Sequence, residues 1–457
     1  MLDAARSQKP RSPKPGFMRV LLLATTTGYQ TRAFGEAAER LGVDLLFATD
    51  RCDMIEDPWG DHALAIRFYD EAASVETIVA AAERSPVDGV IAVGDRPTVI
   101  AARVMKALGL PGHPRSAAAV ARNKQATREH FKAAGLLTPA FIEGTPTDDP
   151  EHFMPVGFPM VVKPLALSGS RGVMRVDDEG ELTAALSRIK GLLASADIRA
   201  ERHEAHKLLL AEQFIDGREF AVEGLMNRGS LDVLAIFDKP DPLDGPFFEE
   251  TLYITPSQAP SGTQENIVRT VTEAANALGL YHGPVHAECR VNSRGVFVLE
   301  VAARPIGGLC ARALRFVRRE RPAGRTKPAA GSQSGAAGAE ISFEELLLRH
   351  ALGEGSTEWQ REPKASGVMM IPIPRRGIYR GAEGIDEARA VPDVVDVRLT
   401  AKLDQVLVPL PEGASYLGFI FARANHAADV DRALRAAHGC LTFTIDPELR
   451  VLQSTHG

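Results

Sequence analysis

At 457 residues the chain is long enough for roughly three domains of about 150 residues each, and with 45% hydrophobic and 25% charged residues its make-up is that of an ordinary globular protein. Its 53 basic and 59 acidic residues leave a formal net charge of −6. That balance excludes a general binder of nucleic acid or anionic membrane, which needs a basic excess. Cys52, Cys289, Cys310 and Cys440 are scattered and form no C-x-x-C pair, so neither a disulfide scaffold nor a zinc finger is expected. No apolar run approaches the ~20 residues of a membrane span.

In chain order, residues 1–16 are rich in Lys, Arg, Ser and Pro without an apolar stretch. They read as a disordered tail rather than a secretory signal, and the expected compartment is the cytoplasm. The run Arg-Val-Leu-Leu-Leu-Ala at 19–24 reads as a buried parallel strand leading into a helix over 32–41. Strands over 43–48 and 87–93 alternate with helices over 75–84 and 98–108. This alternation predicts a doubly wound parallel sheet across 17–113, with ligand positions at strand ends near Thr25, Gly28, Gly94, Asp95 and Arg96. No G-x-G-x-x-G follows the first strand, which argues against a dinucleotide site.

A single helix is expected from Ser116 to before Gly135, carrying Asn123, Lys124 and Arg128. Strands over 158–164 and 173–176 then flank a Gly/Ser loop, and a helix covers 181–189. Segments 208–214 and 218–226 read as a strand pair turned by Asp216 and Gly217. A helix over 264–279 precedes strands 285–291 and 296–301, paired around 292–295. Residues 318–339 have almost no large apolar side chain and read as a disordered loop. A helix over 341–351, a strand-rich stretch from 367 and a helix over 427–438 complete the chain.

Three features carry chemistry. Lys163 sits in an apolar strand, where its charge must be paired or reach a ligand. The loop that follows, Ser168, Gly169, Ser170, Arg171 and Gly172, offers backbone N–H groups to phosphate oxygens; a surface hairpin with a snorkelling lysine is the plainer alternative. Glu288 and Glu300 share parity on one hairpin, so an odd-numbered loop would set them opposite each other on one face. Such a pair asks for a cation between them, and Mg²⁺ beside phosphates fits. Arg304, with Gly307 and Gly308 behind it, can clamp a carboxylate or phosphate, or simply pair with Glu300. His282 and His286 read as structural histidines, and Cys289 as a core residue on the face opposite Glu288.

Four segments occur in one order: NKQATREHFKAAGLLTPAF (123–141), GFPMVVKPLALSGSRGV (157–173), LLLAEQFIDGREFAVEGL (208–225) and GPVHAECRVNSRGVFVLEVAARPIGG (283–308). Together they resemble the ATP-grasp superfamily of carboxylate–amine ligases, over about residues 20–350. The run Glu-Val-Ala-Ala-Arg-Pro and the C-terminal segments resemble the subgroup of L-amino-acid ligases that make dipeptides.

The resemblance implies an α/β and α+β protein. Residues 17–113 would be an N-terminal domain, 114–352 a two-lobed ATP-grasp domain and 353–457 a small strand-rich C-terminal domain. It implies ATP and Mg²⁺ (or Mn²⁺) as cofactors, and a carboxylate activated as an acyl phosphate and captured by an amine. Small-molecule carboxylate and amine are then the partners, with no nucleic acid or membrane; a homodimer is the assembly considered. Lys124 and Lys163 would contact phosphates under the loop Ser168–Gly172. Glu212, Gln213, Phe214 and Ile215 would hold adenine through backbone groups, with Glu219 near the ribose or metals. Glu288 and Glu300 would be metal ligands, and Arg304, with Gly307 and Gly308, would meet substrate or the transferring phosphoryl group. Many members carry an asparagine two residues after the last metal glutamate, where this chain has Ala302. A biotin-carboxylase-like or purine-pathway-like acceptor, or a non-catalytic ATP-binding module, are the alternatives.

Overall fold

The computed structural model describes residues 18–25, 30–50, 63–319 and 340–448. The expectations for the tail, for the turn at 26–28 and for most of the loop at 318–339 lie outside those residues. Among the described residues no helix is long and apolar enough to cross a membrane.

Arg19–Ala24 forms the centre of a four-stranded sheet, flanked by Gly89–Val93 on one side and by Asp44–Thr49 and then Leu64–Ala65 on the other. All three pairings are parallel. Its side chains are buried on both faces. Val20 and Leu22 pack with helix Thr31–Leu41, while Leu21 and Leu23 pack with Ile78, Ile100 and Val104 of helices Glu71–Arg84 and Thr98–Ala107. An unbroken apolar run is what a strand covered on both faces requires. The short strand Leu64–Ala65 carries too little pattern to be read from sequence.

The next segment is two helices, not one. Arg115–Ala121 ends and Lys124–Ala133 begins anew, with Asn123 as its N-cap in extended conformation. The Asn123 side chain accepts the Ala126 N–H at 3.0 Å, a local bond that competes with helix continuation. The break sets Lys124 at the first position of the second helix.

Phe141–Gly144, Leu209–Gln213, Met160–Pro164 and Met174–Val176 make an antiparallel sheet in that order. Helix Glu179–Leu193 covers it through Leu182, Leu186 and Ile189. Leu209–Gln213 and Arg218–Asn227 are therefore not a strand pair: the first belongs to this sheet and the second to a larger one. Each strand finds its apolar partners elsewhere, and Asp216 and Gly217 carry the chain across from one sheet to the other.

The larger sheet has eight antiparallel strands: Gly295–Ala302, Gly283–Asn292, Arg218–Asn227, Ser230–Asp238, Leu252–Thr255, Ala365–Ile371, Gly418–Ala424 and Val394–Leu399. It takes strands from both sides of residue 352. One face packs Phe220, Val222, Val285 and Ala287 against Ile267, Val271 and Ala274 of helix Ser261–Ala277. The opposite face carries Ala221, Phe237, Tyr253, Val368, Met370 and Phe419. Glu288 does lie opposite Glu300, but for a different reason than an odd loop. The hairpin turns through two residues, pairing Asn292 with Gly295, and a bulge at Leu299 shifts the register so that Glu288 meets Glu300.

Where the parallel sheet meets the larger one, a Cβ on Gly89 would come within 2.7 Å of the Ala351 carbonyl, at the end of helix Phe343–Ala351. Three histidines gather at this junction. His113 Nδ1 accepts the Tyr281 N–H at 3.1 Å, and its Nε2 lies 3.2 Å from the Pro284 carbonyl. His350 Nε2 is 2.8 Å from Asn227 Oδ1, and its ring stacks on His282 with centroids 4.3 Å apart. Burial pulls His113 down to about 4 and His350 to about 3. Both are neutral in the fold, whereas in the unfolded chain they take protons below about pH 6.5. Stability should therefore decline as pH falls from about 6.5 toward 4. Urea midpoints at pH 7.5 and 5.0 would show the loss, and His350→Gln should flatten it; equal midpoints in the parent protein would contradict this assignment.

Candidate active site

A cleft of about 890 Å³ separates the four-stranded antiparallel sheet from the charged face of the eight-stranded one. Strand register decides what faces it. Arg290 pairs with Glu219, Glu288 with Ala221 and His286 with Glu223, so every second residue of two neighbouring strands projects the same way. The carboxyl end of the parallel sheet adds Gly94, Asp95 and Arg96.

On the antiparallel-sheet side, Glu212 lies between two cations. Arg128, 1% exposed, donates to it through Nε at 2.9 Å and Nη2 at 3.2 Å, and through Nη1 to the Val298 carbonyl of the opposite sheet at 3.3 Å. Lys163 pairs with the same carboxylate. Burial would raise the Glu212 carboxyl, but the two cations outweigh it and hold it at about 2. Burial dominates for Lys163, which falls to about 8. Lys124 Nζ donates to the Leu167 carbonyl at 2.6 Å, under the entry to the glycine loop.

That loop is latched from outside. Gly172 N–H donates to the Pro411 carbonyl at 2.7 Å and Arg171 Nε to the Glu412 carbonyl at 2.9 Å. Arg188 grips the Glu412 carboxylate through two bonds of 2.8 and 2.9 Å. Ser168, Gly169, Ser170 and Arg171 all line the cleft, while Gly172 turns away with φ +76° against Pro164.

Gln213, Phe214 and Ile215 also line the cleft, but several of their backbone groups are already committed. Gln213 N–H donates to Ala140, Phe214 N–H to Pro159, and the Ile215 carbonyl accepts Arg290 Nη1 at 2.7 Å. Those groups hold the crossing between sheets itself. The Glu212 side chain likewise serves as a counter-ion. The Phe214 ring stacks on Phe248 at 6.4 Å and carries Arg175 over it at 4.4 Å, giving the cleft a flat apolar surface.

Glu219 and Glu288 of the eight-stranded sheet and Glu250, just before strand Leu252–Thr255, bring carboxylate oxygens within 4.8 Å of one another, a donor set able to hold a divalent cation. Lys239 Nζ stands among them at 2.7, 2.5 and 3.0 Å, in the position of a cation. Burial would lower this ammonium, but the three carboxylates hold it well above the usual lysine range. Glu250 is left at about 7 by burial and by the neighbouring Glu288, with Lys239 opposing. Glu219 also accepts Arg290 Nε at 2.8 Å. His286 is bonded through Nδ1 to the fully buried Glu223 and lies 3.4 Å from Glu288. Burial favours its neutral form, yet these carboxylates raise it to about 10, so the ring is an imidazolium. His282 faces away, its ring nitrogens buried without a hydrogen-bond partner.

Glu300 is the cross-strand partner of Glu288 but is not part of that carboxylate trio. It approaches Arg304 at 3.7 Å. Arg304 itself makes a bidentate pair with Asp95, at 2.8 and 3.1 Å, and donates to the Pro305 carbonyl at 3.1 Å. Burial would lower the guanidinium, but Asp95 outweighs it and holds it above the usual arginine range. Gly307 and Gly308 line the cleft just beyond. Their turn is set by Glu223, which accepts the Ile306 N–H at 3.1 Å, and by Gln30, which donates to the Ile306 carbonyl at 2.6 Å.

Lys239, Glu250 and Glu223 were not singled out from sequence, and Arg128 was named only as a residue of its helix. Lys239 had a signal: Phe-Asp-Lys-Pro at a strand end repeats the pattern of Val-Val-Lys-Pro around Lys163. Glu212→Gln would strand two buried cations, and we expect a loss of about 3–5 kcal/mol in denaturant unfolding. An unchanged midpoint would refute its bridging role.

Comparison with known proteins agrees with this arrangement. Residues 156–313 match the ATP-grasp domain, 35–112 the ATP-grasp N-terminal domain and 369–446 the L-amino acid ligase C-terminal domain 2. The solved L-amino acid ligase from Bacillus licheniformis superposes with a TM-score of 0.76 at 29% identity, over 94% of this chain and 99% of that one. The alanine–anticapsin ligase of Bacillus subtilis is 29% identical over 52% of this chain and 52% of its own length. A D-alanine–D-alanine ligase of Aromatoleum aromaticum is 33% identical over 36% and 50% respectively. The match thus spans about half the length of these curated relatives. Three family segments in order and one structure that overlays nearly end to end show that the chain belongs to the ATP-grasp superfamily, with the C-terminal region of L-amino acid ligases.

Proposed function

We propose that the protein is an ADP-forming ligase that phosphorylates the carboxylate of an amino acid and joins it to an amine. The observation that carries this reading is the cleft itself. Lysines and a glycine loop stand on one wall, and three carboxylates and an arginine on the other. Phosphoryl transfer needs charge neutralisation and positioning rather than a covalent helper, and these residues supply both.

In this reading ATP lies between the two sheets, with the base against Phe214 and Phe248 and the phosphates under Ser168–Gly172, beside Lys124 and Lys163. A carboxylate oxygen attacks the γ-phosphorus, the bond to the β,γ-bridging oxygen breaks, and ADP leaves. The amine nitrogen then attacks the acyl carbon, the acyl–oxygen bond breaks to release phosphate, and the nitrogen gives up a proton. Arg304, aligned by Asp95, stabilises the charge that builds on the transferring group. Glu288 and its cross-strand partner Glu300 are the residues that would hold Mg²⁺. The metal would supply Lewis-acid neutralisation of the phosphates. Lys239 keeps the carboxylates together by neutralising them, and His286 adds a fixed positive charge. Ala302 removes one amide ligand that many relatives have and leaves the carboxylates in place. We read 17–113, 114–352 and 353–457 as the three functional parts.

Incubation with Mg·ATP should release ADP and phosphate only when an amino-acid pool is present; AMP as product would overturn the mechanism. Lys163→Ala should weaken ATP binding by several-fold to about a hundredfold, read by nucleotide titration, and unaltered affinity would remove the lysine from the site. Glu300→Gln should abolish turnover while the thermal midpoint stays near that of the parent; Glu288→Gln, which also takes a partner from Lys239 and His286, should abolish turnover and lower the midpoint. Mn²⁺ binding followed by spin resonance would separate a ligand from a bystander.

A further inference from the structure

Beyond its charges the cleft turns apolar. Ile306, Cys310, Met370, Tyr416 and Phe419 line the same cleft as Glu250. Pairing in the eight-stranded sheet puts Met370 and Phe419 there. Met370 is the direct cross-strand partner of Phe419, and Val368, two residues before Met370, is the partner of Tyr253. Met370 and Phe419 therefore project from the face that carries Tyr253, whose hydroxyl is 3.3 Å from Glu288. Cys310 Sγ lies 3.7 Å from Met370 Sδ, and the Tyr416 ring is 6.1 Å from that of Phe419. Tyr416 and Cys310 both sit within the field of Glu250, so the wall begins where the carboxylates end.

An α-amino acid sends three groups out from one carbon, and the cleft has three matching surfaces. Arg304 spends three of its five N–H donors on Asp95 and Pro305, and the others remain for a carboxylate. Glu250 offers a carboxylate to an ammonium group. The third surface is the wall. Resting on the ligase reading above, we propose that Cys310, Met370, Tyr416 and Phe419 receive the side chain of the amino acid that is phosphorylated, and that this substrate has an apolar side chain. A charged side chain would lose its water against these residues with no partner to replace it. Each buried methylene instead raises affinity roughly fourfold.

Gly307 gives a clean test. A Cβ there would meet no atom within 4 Å and its backbone is not left-handed, whereas Gly308 has φ +60° and Phe419 at 3.3 Å. Gly307→Val thus adds bulk to the cleft without backbone strain.

The experiment is ADP release measured across leucine, methionine, phenylalanine, alanine, serine, aspartate and lysine. We expect kcat/KM for leucine or methionine to exceed that for serine, aspartate and lysine by at least about tenfold. Gly307→Val should lower the leucine-to-alanine ratio by about tenfold, and Tyr416→Ala should raise the KM for leucine, with ATP affinity held in both. Turnover that favours aspartate or lysine would overturn the apolar wall and leave the ligase reading standing, as would a leucine-to-alanine ratio unmoved by Gly307→Val. Absence of ADP with every amino acid, in a protein that still binds ATP, would overturn the ligase reading and this inference with it.

Discussion

Buried charge is what this molecule has to manage, and most of its architecture follows from how that is done. An isolated carboxylate or ammonium taken out of water costs more than the whole net stability of a domain. Most charged groups lining the cleft are therefore set against an opposite one. Glu212 neutralises Arg128 and Lys163, Lys239 neutralises three glutamates, Glu223 holds His286, and Asp95 holds Arg304. The pairs join distant stretches of chain: Asp95 comes from the parallel sheet and Arg304 from the end of the large one. Such ion pairs add little net stability, but removing one partner is costly. The result is a cleft whose charges hold one another at fixed positions before any ligand arrives.

Register does the rest. Side chains alternate between the two faces of a strand, so a slip of one residue would send Glu288 into the apolar core under helix Ser261–Ala277 and bring Cys289 into the cleft. The bulge at Leu299 uses the same rule locally. It lets a two-residue turn, which by itself would not pair the two glutamates, deliver Glu300 opposite Glu288. The polar floor and the part of the apolar wall formed by Met370 and Phe419 are then two regions of one pleated surface.

The parts legible in the sequence were those that depend on neighbours in the chain. The run at Arg19–Ala24, the lysine before Pro164, the Gly/Ser loop and the parity of Glu288 and Glu300 are all local patterns. What could not be read depends on partners far away. Leu209–Gln213 and Arg218–Asn227 look like a hairpin because Asp216 and Gly217 form a turn; only the apolar surfaces waiting on either side send them to different sheets. Arg128 reads only as one residue of a helix until Glu212, 84 residues later, and the Val298 carbonyl enclose it. Glu250 sits in no periodic segment, and its role follows from Lys239 and Glu288 converging on it. Asn123 was visible, but whether it caps a new helix or rides within one turned on a single local hydrogen bond.

The continuity of the eight-stranded sheet has a consequence for how such proteins can change. Met370 and Phe419 stand on strands that are hydrogen-bonded, through Leu252–Thr255, to the strands carrying the carboxylates. A chain interrupted near residue 352 would leave Leu252–Thr255 as a raw edge of unpaired N–H and C=O groups, open to association with any other strand. The C-terminal region is thus no detachable cartridge that recombination could trade for another. New preferences have to be written into it in place, one side chain at a time, on a backbone that the rest of the sheet already holds.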